Sequence, residues 1–170
     1  MVVDATHEPT EALLFGGNTA TLHEGRITQF GPTTGVYRKP SNLITAQVFS
    51  EPPMNTAKIT KRGKFITIFG KTRWPAGHAG KTLADGDYTI GIRPHNIATI
   101  GHGKAVGEIA GRVLVTELSG SESIIHCDVG GQTWISQSHG IHPYNVGETA
   151  RLYVDIDQSL FFGANQEFIA

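Results

Sequence analysis

One cysteine, Cys127, stands in this chain of 170 residues, so no disulfide forms within it and packing must hold the fold. A lone thiol fits a reducing compartment. Charge is scarce: charged residues make up 17% of the chain and the formal net charge is -1, with no basic or acidic run. Nothing here builds the positive field that binding a phosphate backbone demands, which argues against a nucleic-acid partner. No apolar run approaches the roughly 20 residues that a membrane-spanning helix needs. The first residues, Met1-Val2-Val3-Asp4, lack the basic region and apolar core of a secretory signal. Together these absences predict a soluble, cytosolic protein.

Glycine, in contrast, is plentiful at 21 residues and punctuates the chain every few positions, which leaves little room for long helices. A chain of this length suits one domain, or one domain plus a fragment of another. The first forty-odd residues have a mixed texture. Val2 and Val3 read as the end of a buried strand and Thr6 as a helix N-cap, with a short helical segment over 10–15 and Pro9 in its first turn. Asn18 to His23 and Arg26 to Phe30 read as strands joined by Glu24-Gly25 at hairpin spacing. Thr33 to Tyr37 and Asn42 to Phe49 read as two more helical stretches, split by Pro40-Ser41. Glu51-Pro52-Pro53 then interrupts any regular element, because proline lacks the backbone donor, and a domain boundary is placed there.

Beyond the boundary the period falls towards two. Strands are predicted over 64–69, 87–93, 107–118, 123–129, 132–137 and 149–156, with Gly130-Gly131 as a direct hairpin turn. Short strands between glycine-rich turns give a mainly β fold, either one small OB-like barrel or two packed half-barrels. A strand ending in Arg93-Pro94 sets a guanidinium at a barrel rim, where a carboxylate such as Glu117 or Glu122 could pair with it. Gly120-Ser121-Glu122 reads as a tight turn with a polar rim. Trp74 and Trp134 read as core or interface aromatics.

Catalytic motifs are thin. A phosphate-cradling loop needs backbone N–H groups and a Gly-Lys-Ser/Thr ending. Pro75-Ala76-Gly77-His78-Ala79-Gly80-Lys81-Thr82 has that ending, but Pro75 stands where the first loop glycine belongs and no apolar helix follows. The expectation is a glycine-rich turn between strands. No carboxylate-ended apolar strand of the Walker B kind and no L-S-G-G-Q signature occurs. The His139/His142 pair and the His95/His102 pair lack the third and fourth ligands of a metal site, so no metal is expected. Ser119, Ser121 and Ser123 have no nearby His and acid to complete a triad.

Five stretches, in order, resemble one family. Ala5-Thr6-His7-Glu8-Pro9-Thr10-Glu11-Ala12-Leu13 is similar to the switch-histidine segment of ABC transporter ATPases. Arg26-Ile27-Thr28-Gln29-Phe30-Gly31-Pro32, followed by Val36-Tyr37-Arg38-Lys39-Pro40, resembles the end of the same nucleotide-binding domain. Ser50-Glu51-Pro52-Pro53-Met54-Asn55 resembles the linker of the sugar-importer, maltose-type branch. Ile90-Gly91-Ile92-Arg93-Pro94 and Glu117-Leu118-Ser119-Gly120-Ser121-Glu122 resemble two elements of its transport-associated OB (TOBE-like) domain. His95 replaces the usual acid after Arg-Pro, Asn96 stands where the branch often has His, and Asp4 replaces an apolar residue before the histidine.

The resemblance implies that residues 1–50 are the C-terminal remnant of a nucleotide-binding domain and residues 51–170 an OB-like transport-associated, regulatory domain. It implies the accessory C-terminal region of an importer's ATP-binding subunit, for a sugar, glycerol phosphate or glycerol. The expected partners are a second ATPase subunit, as a homo- or heterodimer, and membrane permease subunits, with the whole peripheral on the inner face of the cell membrane. This chain alone is expected to be no enzyme and to carry no cofactor; ATP and magnesium would belong to the full-length subunit. His7 is then a switch-histidine remnant, inactive alone, and Arg93, Gly120, Ser121 and Glu122 are regulatory or dimer-interface residues. The alternative is an oxyanion-binding OB-like domain of molybdate or sulfate type.

Overall fold

The computed structural model describes residues 3–101 and 103–170, and strands dominate them. Helix α1 (Pro9–Phe15) opens with Pro9 in its first turn, where a missing N–H costs nothing. Thr6 does not cap it directly: its hydroxyl accepts from the Glu8 backbone N–H at 2.9 Å and bonds the Glu11 carboxylate. Strands β1 (Asn18–His23) and β2 (Arg26–Pro32) form the expected antiparallel hairpin. Its turn needs two left-handed residues, and Glu24 (φ 48°) and Gly25 (φ 75°) supply them. Helices α2 (Thr33–Arg38) and α3 (Leu43–Val48) follow, the second capped by Asn42, whose Oδ1 accepts from Thr45 N at 2.9 Å. Val3 is 81% exposed, so the buried strand end expected there does not form; Val2 lies outside the described residues.

After the prolines, β3 (Asn55–Arg62), β4 (Phe65–Ile68), β5 (Thr72–Pro75) and β6 (Gly86–Ile92) build a first antiparallel sheet. Its edge is completed by β12 (Leu160–Phe162) from the chain's end, giving the order β12-β6-β3-β4-β5. The second sheet orders β10-β9-β8-β11-β7 and comprises β7 (Ile97–Ala98), β8 (Val106–Leu118), β9 (Glu122–Val129), β10 (Gln132–His139) and β11 (Thr149–Asp155). It curls until its edge strands meet, where the Ser136 hydroxyl donates to Ile97 O at 2.7 Å. That near-closure makes it a barrel-like, OB-fold-like sheet and removes the exposed edges a flat sheet would carry. Gly130 and Gly131, both at positive φ, make the β9–β10 turn read from the sequence.

Both sheets face one apolar core. Trp74 of the first and Trp134 of the second are buried and meet edge-on, ring centroids 6.5 Å apart. Trp74 approaches the backbone of β8 so closely that a Cβ at Gly107 would lie 2.5 Å from its ring. A smaller cluster joins Leu43 and Ala46 of α3 to Met54, Leu160 and Phe162. The segment expected to be a glycine-rich turn is instead helix α4 (Gly77–Thr82). Small residues permit this: Gly80 packs so close to Ala76 and Phe161 that a side chain there would sit 3.2 Å from each. No helix among the described residues is long and apolar enough to cross a membrane.

Candidate functional site

Arg93 directly follows β6 and is 6% exposed, so a charge is being held out of water. Its partner is not a carboxylate. The guanidinium lies over the Tyr37 ring at 3.8 Å from the centroid, and Nη2 donates to Tyr37 O at 2.7 Å. The Nε–H is buried with no partner among the described residues. Burial works against the charge, and Tyr37 partly restores it. Tyr37 in turn packs edge-on against Phe49 at 5.9 Å and its hydroxyl reaches His95 Nε2 at 3.4 Å. Burial, then the Arg93 charge, pushes the His95 imidazole below its usual range, which keeps it neutral beside the guanidinium.

The expected ion pairs of Arg93 with Glu117 or Glu122 are therefore corrected. Glu117 lies 3.2 Å from His126 Nε2 across β8 and β9, while Glu122 accepts from Gln137 Nε2 at 2.9 Å and faces His139 Nδ1 at 3.8 Å. Arg93 is not displayed at a rim; it ties β6 to α2. Gly120, at φ 81°, turns the chain between β8 and β9, and Ser119 N donates to Glu122 O at 3.0 Å to close that turn. Gly120 and Ser121 are exposed, as a rim requires, and Glu122 is half-buried. Glu122 lines a cleft of about 520 Å³ that it shares with Glu51, His95, Gln137, Ser138 and His139. The structure thus gathers Glu122 and His95 at one cleft, while Arg93 is not among its lining residues.

His7 is exposed in the segment before α1. The Gly80-Lys81-Thr82 ending does not serve a phosphate. The first turn of α4 is already met by an internal anion, with His78 N donating to Asp157 Oδ1 at 2.6 Å. A Cβ at Gly77 would lie 2.9 Å from that same carboxylate oxygen, so the space is filled. Among the described residues no group of three or more His, Cys, Asp or Glu side chains converges to hold a metal. His142 Nε2 bonds the His139 carbonyl at 2.9 Å, and His102 lies outside the described residues.

Two residues escaped the sequence reading. Gln29 clamps the Pro40 break, its Nε2 donating to Lys39 O at 3.2 Å and its Oε1 accepting from Ser41 N at 2.6 Å. Asn55 joins the two sheets through Ile92 and Ile135. Both are polar residues on strands, and only an amide at an inward position of an alternating pattern could have flagged them.

The hairpin itself is built inside out. Thr21 and Thr28 bond each other at 2.8 Å, and Thr45 of α3 donates to Thr28 at 3.0 Å, so hydroxyls fill the face turned to the helix. The cross-strand pairs Ala20–Phe30 and Leu22–Ile27 share the opposite face. There Leu22, Ile27 and Phe30 are 59%, 64% and 68% exposed, and no residue of α1 is buried.

Comparison with known proteins follows the same lines. The family model of the TOBE domain matches residues 90–162, which run from the end of β6 through the whole second sheet to β12. An uncharacterised ABC transporter ATP-binding protein, YcjV of Escherichia coli, is 28% identical over 173 aligned residues, covering 98% of this chain and 47% of its own length. The sn-glycerol-3-phosphate import ATP-binding protein UgpC of Brucella abortus biovar 1 is 28% identical over 167, covering 96% and 45%. This chain spans about half the length of the curated relatives it matches. A structure of the cytoplasmic molybdate-binding protein ModG aligns at a TM-score of 0.48 and 16% identity, covering 63% of this chain and 94% of that one. Residues 90–162 match the TOBE domain, and over nearly its full length the chain is similar to ABC transporter ATP-binding subunits, as its motifs imply and as the C-terminal part of an importer subunit would be.

Proposed function

We propose that this chain forms the accessory C-terminal region of an ABC importer's ATP-binding subunit. Residues 1–50 close the nucleotide-binding domain and residues 51–170 act as its regulatory module. The observation that carries this reading is the inverted hairpin. An isolated β-hairpin with its apolar face in water is marginal at best, whereas one laid against a larger apolar surface is stable. The residues exposed here, Leu22, Ile27 and Phe30 with Leu14 and Phe15 of α1, are the ones a nucleotide-binding core would cover.

In that assembly His7 is the switch histidine, acting on a nucleotide and magnesium held by the other half of the subunit. The partners are a second ATP-binding subunit and the membrane permeases, on the cytoplasmic face of the membrane. The solute is a sugar, glycerol phosphate or glycerol, and the UgpC relatives favour the glycerol phosphate choice. The exposed turn at Gly120 and Ser121, with Glu122 beside it, serves the contact between subunits. Arg93 serves regulation by fixing α2 to β6.

The test is to produce the chain with the nucleotide-binding half of Escherichia coli YcjV and to measure association and ATP hydrolysis. Association with hydrolysis that falls at least tenfold in His7→Ala supports the reading. Absence of association, or association indifferent to Ile27→Asp and Phe30→Asp together, refutes it.

A further inference from the structure

We propose that the outward face of the first sheet is a docking surface for an acidic peptide segment of a partner protein. The inference goes beyond the importer reading and does not rest on it. The near-neutral total conceals an uneven spread of charge. Lys58, Lys61, Arg62, Lys64, Lys71 and Arg73 fall within residues 58–73, a stretch with no Asp or Glu, so six of the chain's 14 Lys and Arg stand there.

The fold gathers them. Asn55, Ala57, Ile59 and Lys61 face the core from β3, so the alternate residues Lys58, Thr60 and Arg62 face out. Arg62 pairs across with Phe65, and Thr60 with Thr67, which in turn pairs with Arg73 of β5. Cross-strand pairs share a face, so an ammonium and two guanidiniums lie on one surface. Lys64 and Lys71 sit in the turns at the two ends of β4. Lys61 turns inward and pairs with Asp85. The other five cations are exposed, and none forms an ion pair among the described residues.

A trough of about 590 Å³ crosses this face. It runs from Ala164, beyond β12, past Asp87 of β6, Lys58 of β3 and Thr67 of β4 to Gly70, before β5. Five strands at about 4.8 Å spacing make that roughly 19 Å, the length of about six extended residues. Lys58 Nζ donates to Thr89 Oγ1 at 3.0 Å, which steadies the ammonium and leaves two N–H groups for a carboxylate. Asp87 is partly engaged, its Oδ1 accepting from Thr60 Oγ1 at 2.7 Å.

Shape and charge select the occupant. A flat bilayer does not enter a trough, and Asp87 within it repels anionic headgroups and phosphate backbones alike. Bases need open rings to stack on, yet Phe65 of this face carries the Arg73 guanidinium at 3.8 Å from its centroid. Strand addition at the sheet's edge is blunted, because Pro75 of β5 lacks a backbone donor. An extended acidic chain meets none of these obstacles. Its carboxylates reach Lys58, Arg62 and Arg73, and its backbone N–H groups can meet Asp87.

Fluorescence anisotropy follows a labelled peptide of alternating Glu and Ser, about twelve residues or twice the trough's span, titrated with the 170-residue chain. A Gln-Ser peptide of the same length, a single-stranded oligothymidylate and phosphatidylserine vesicles serve as parallel probes. The acidic peptide is expected to bind saturably and more tightly than the other three, at least fivefold weaker at about 300 mM salt than at about 50 mM. Lys58→Gln with Arg73→Gln should weaken it at least tenfold, while Arg112→Gln with Arg151→Gln, on the second sheet, should change it less than twofold. Thermal unfolding checks that each variant folds, and Lys58→Gln with Arg62→Gln replaces the first pair if Arg73 proves necessary for folding. No binding of the acidic peptide, equal binding of the Gln-Ser peptide, tighter binding of vesicles or oligonucleotide, or equal loss in both double variants would each overturn the proposal. No nucleotide-binding half enters this test, so its failure is distinguishable from failure of the importer reading.

Discussion

Removing the Asn55 side chain should cost more stability than its size indicates. Asn55 is 4% exposed at the first inward position of β3, where Ala57 and Ile59 continue the buried face. Its Nδ2 donates to Ile92 O at 3.3 Å and to Ile135 O at 2.8 Å, and its Oδ1 accepts from Ile135 N at 2.7 Å. One amide thus satisfies the backbone of β10, the edge strand of the second sheet, from β3 of the first. Asn55→Ala strands the N–H and the C=O of Ile135 together. Each orphaned buried group costs about 1–3 kcal/mol, so a loss of roughly 2–4 kcal/mol is expected once some water access is allowed. For a chain of this size that lowers the melting temperature by roughly 6–12 °C.

Asn55→Asp should do worse than Ala, because it nearly preserves shape but turns an oxygen towards two carbonyl oxygens and buries a charge. The assay is urea unfolding read by the fluorescence of the buried Trp74 and Trp134, with a fall in midpoint at unchanged slope. A loss under about 0.5 kcal/mol for Ala, the size of an ordinary surface change, or an Asp variant no less stable than Ala, would refute the clasp.

Gly107→Ala should lose about 1–3 kcal/mol by the same assay, because the added methyl meets the Trp74 ring at 2.5 Å and a packed core yields little. An unchanged midpoint would mean that the ring moves freely. Cys127 is fully buried and desolvation raises its thiol from 9.0 to about 11, so it should stay protonated and resist thiol reagents at pH 8 until the chain unfolds. Because the folded value is the higher one, this contribution to stability is intact below about pH 9 and fades as the pH rises towards 11. Labelling of the native protein as fast as of the unfolded chain would contradict it.

Much of the fold was legible where the hydrophobic pattern is simple. Glu24-Gly25 and Gly130-Gly131 announce their hairpins because few other residues accept left-handed backbone there. Strand β3 was not legible, and the reason is physical. Its buried face reads Asn55, Ala57, Ile59, Lys61, so two of four inward positions are polar. Both are satisfied only by residues far along the chain. Lys61 Nζ donates to Leu83 O at 2.6 Å and pairs with Asp85 at 2.9 Å, and that bond holds the Asp85 carboxyl below its usual range. Strand β12 has three buried residues but takes its meaning from β6, which lies some seventy positions earlier. At the site, Arg93 stood out by type, yet its partner is the face and carbonyl of Tyr37, which no spacing rule links to it.

The Glu51-Pro52-Pro53 break marks a change of texture in the sequence but not a gap in the packing. Three connections cross it. Leu43 and Ala46 share an apolar cluster with Met54, Leu160 and Phe162. The chain's end returns to the N-terminal unit, with Leu43 N donating to Gln166 O at 2.9 Å and Phe168 N to Ser41 O at 3.1 Å. Arg93 holds Tyr37 from the other side. Residues on both sides of the break therefore gain or lose their partners together. The hairpin thus packs on α2 and α3, and these helices contact β6 through Tyr37–Arg93 and β12 through the Leu43–Leu160 cluster.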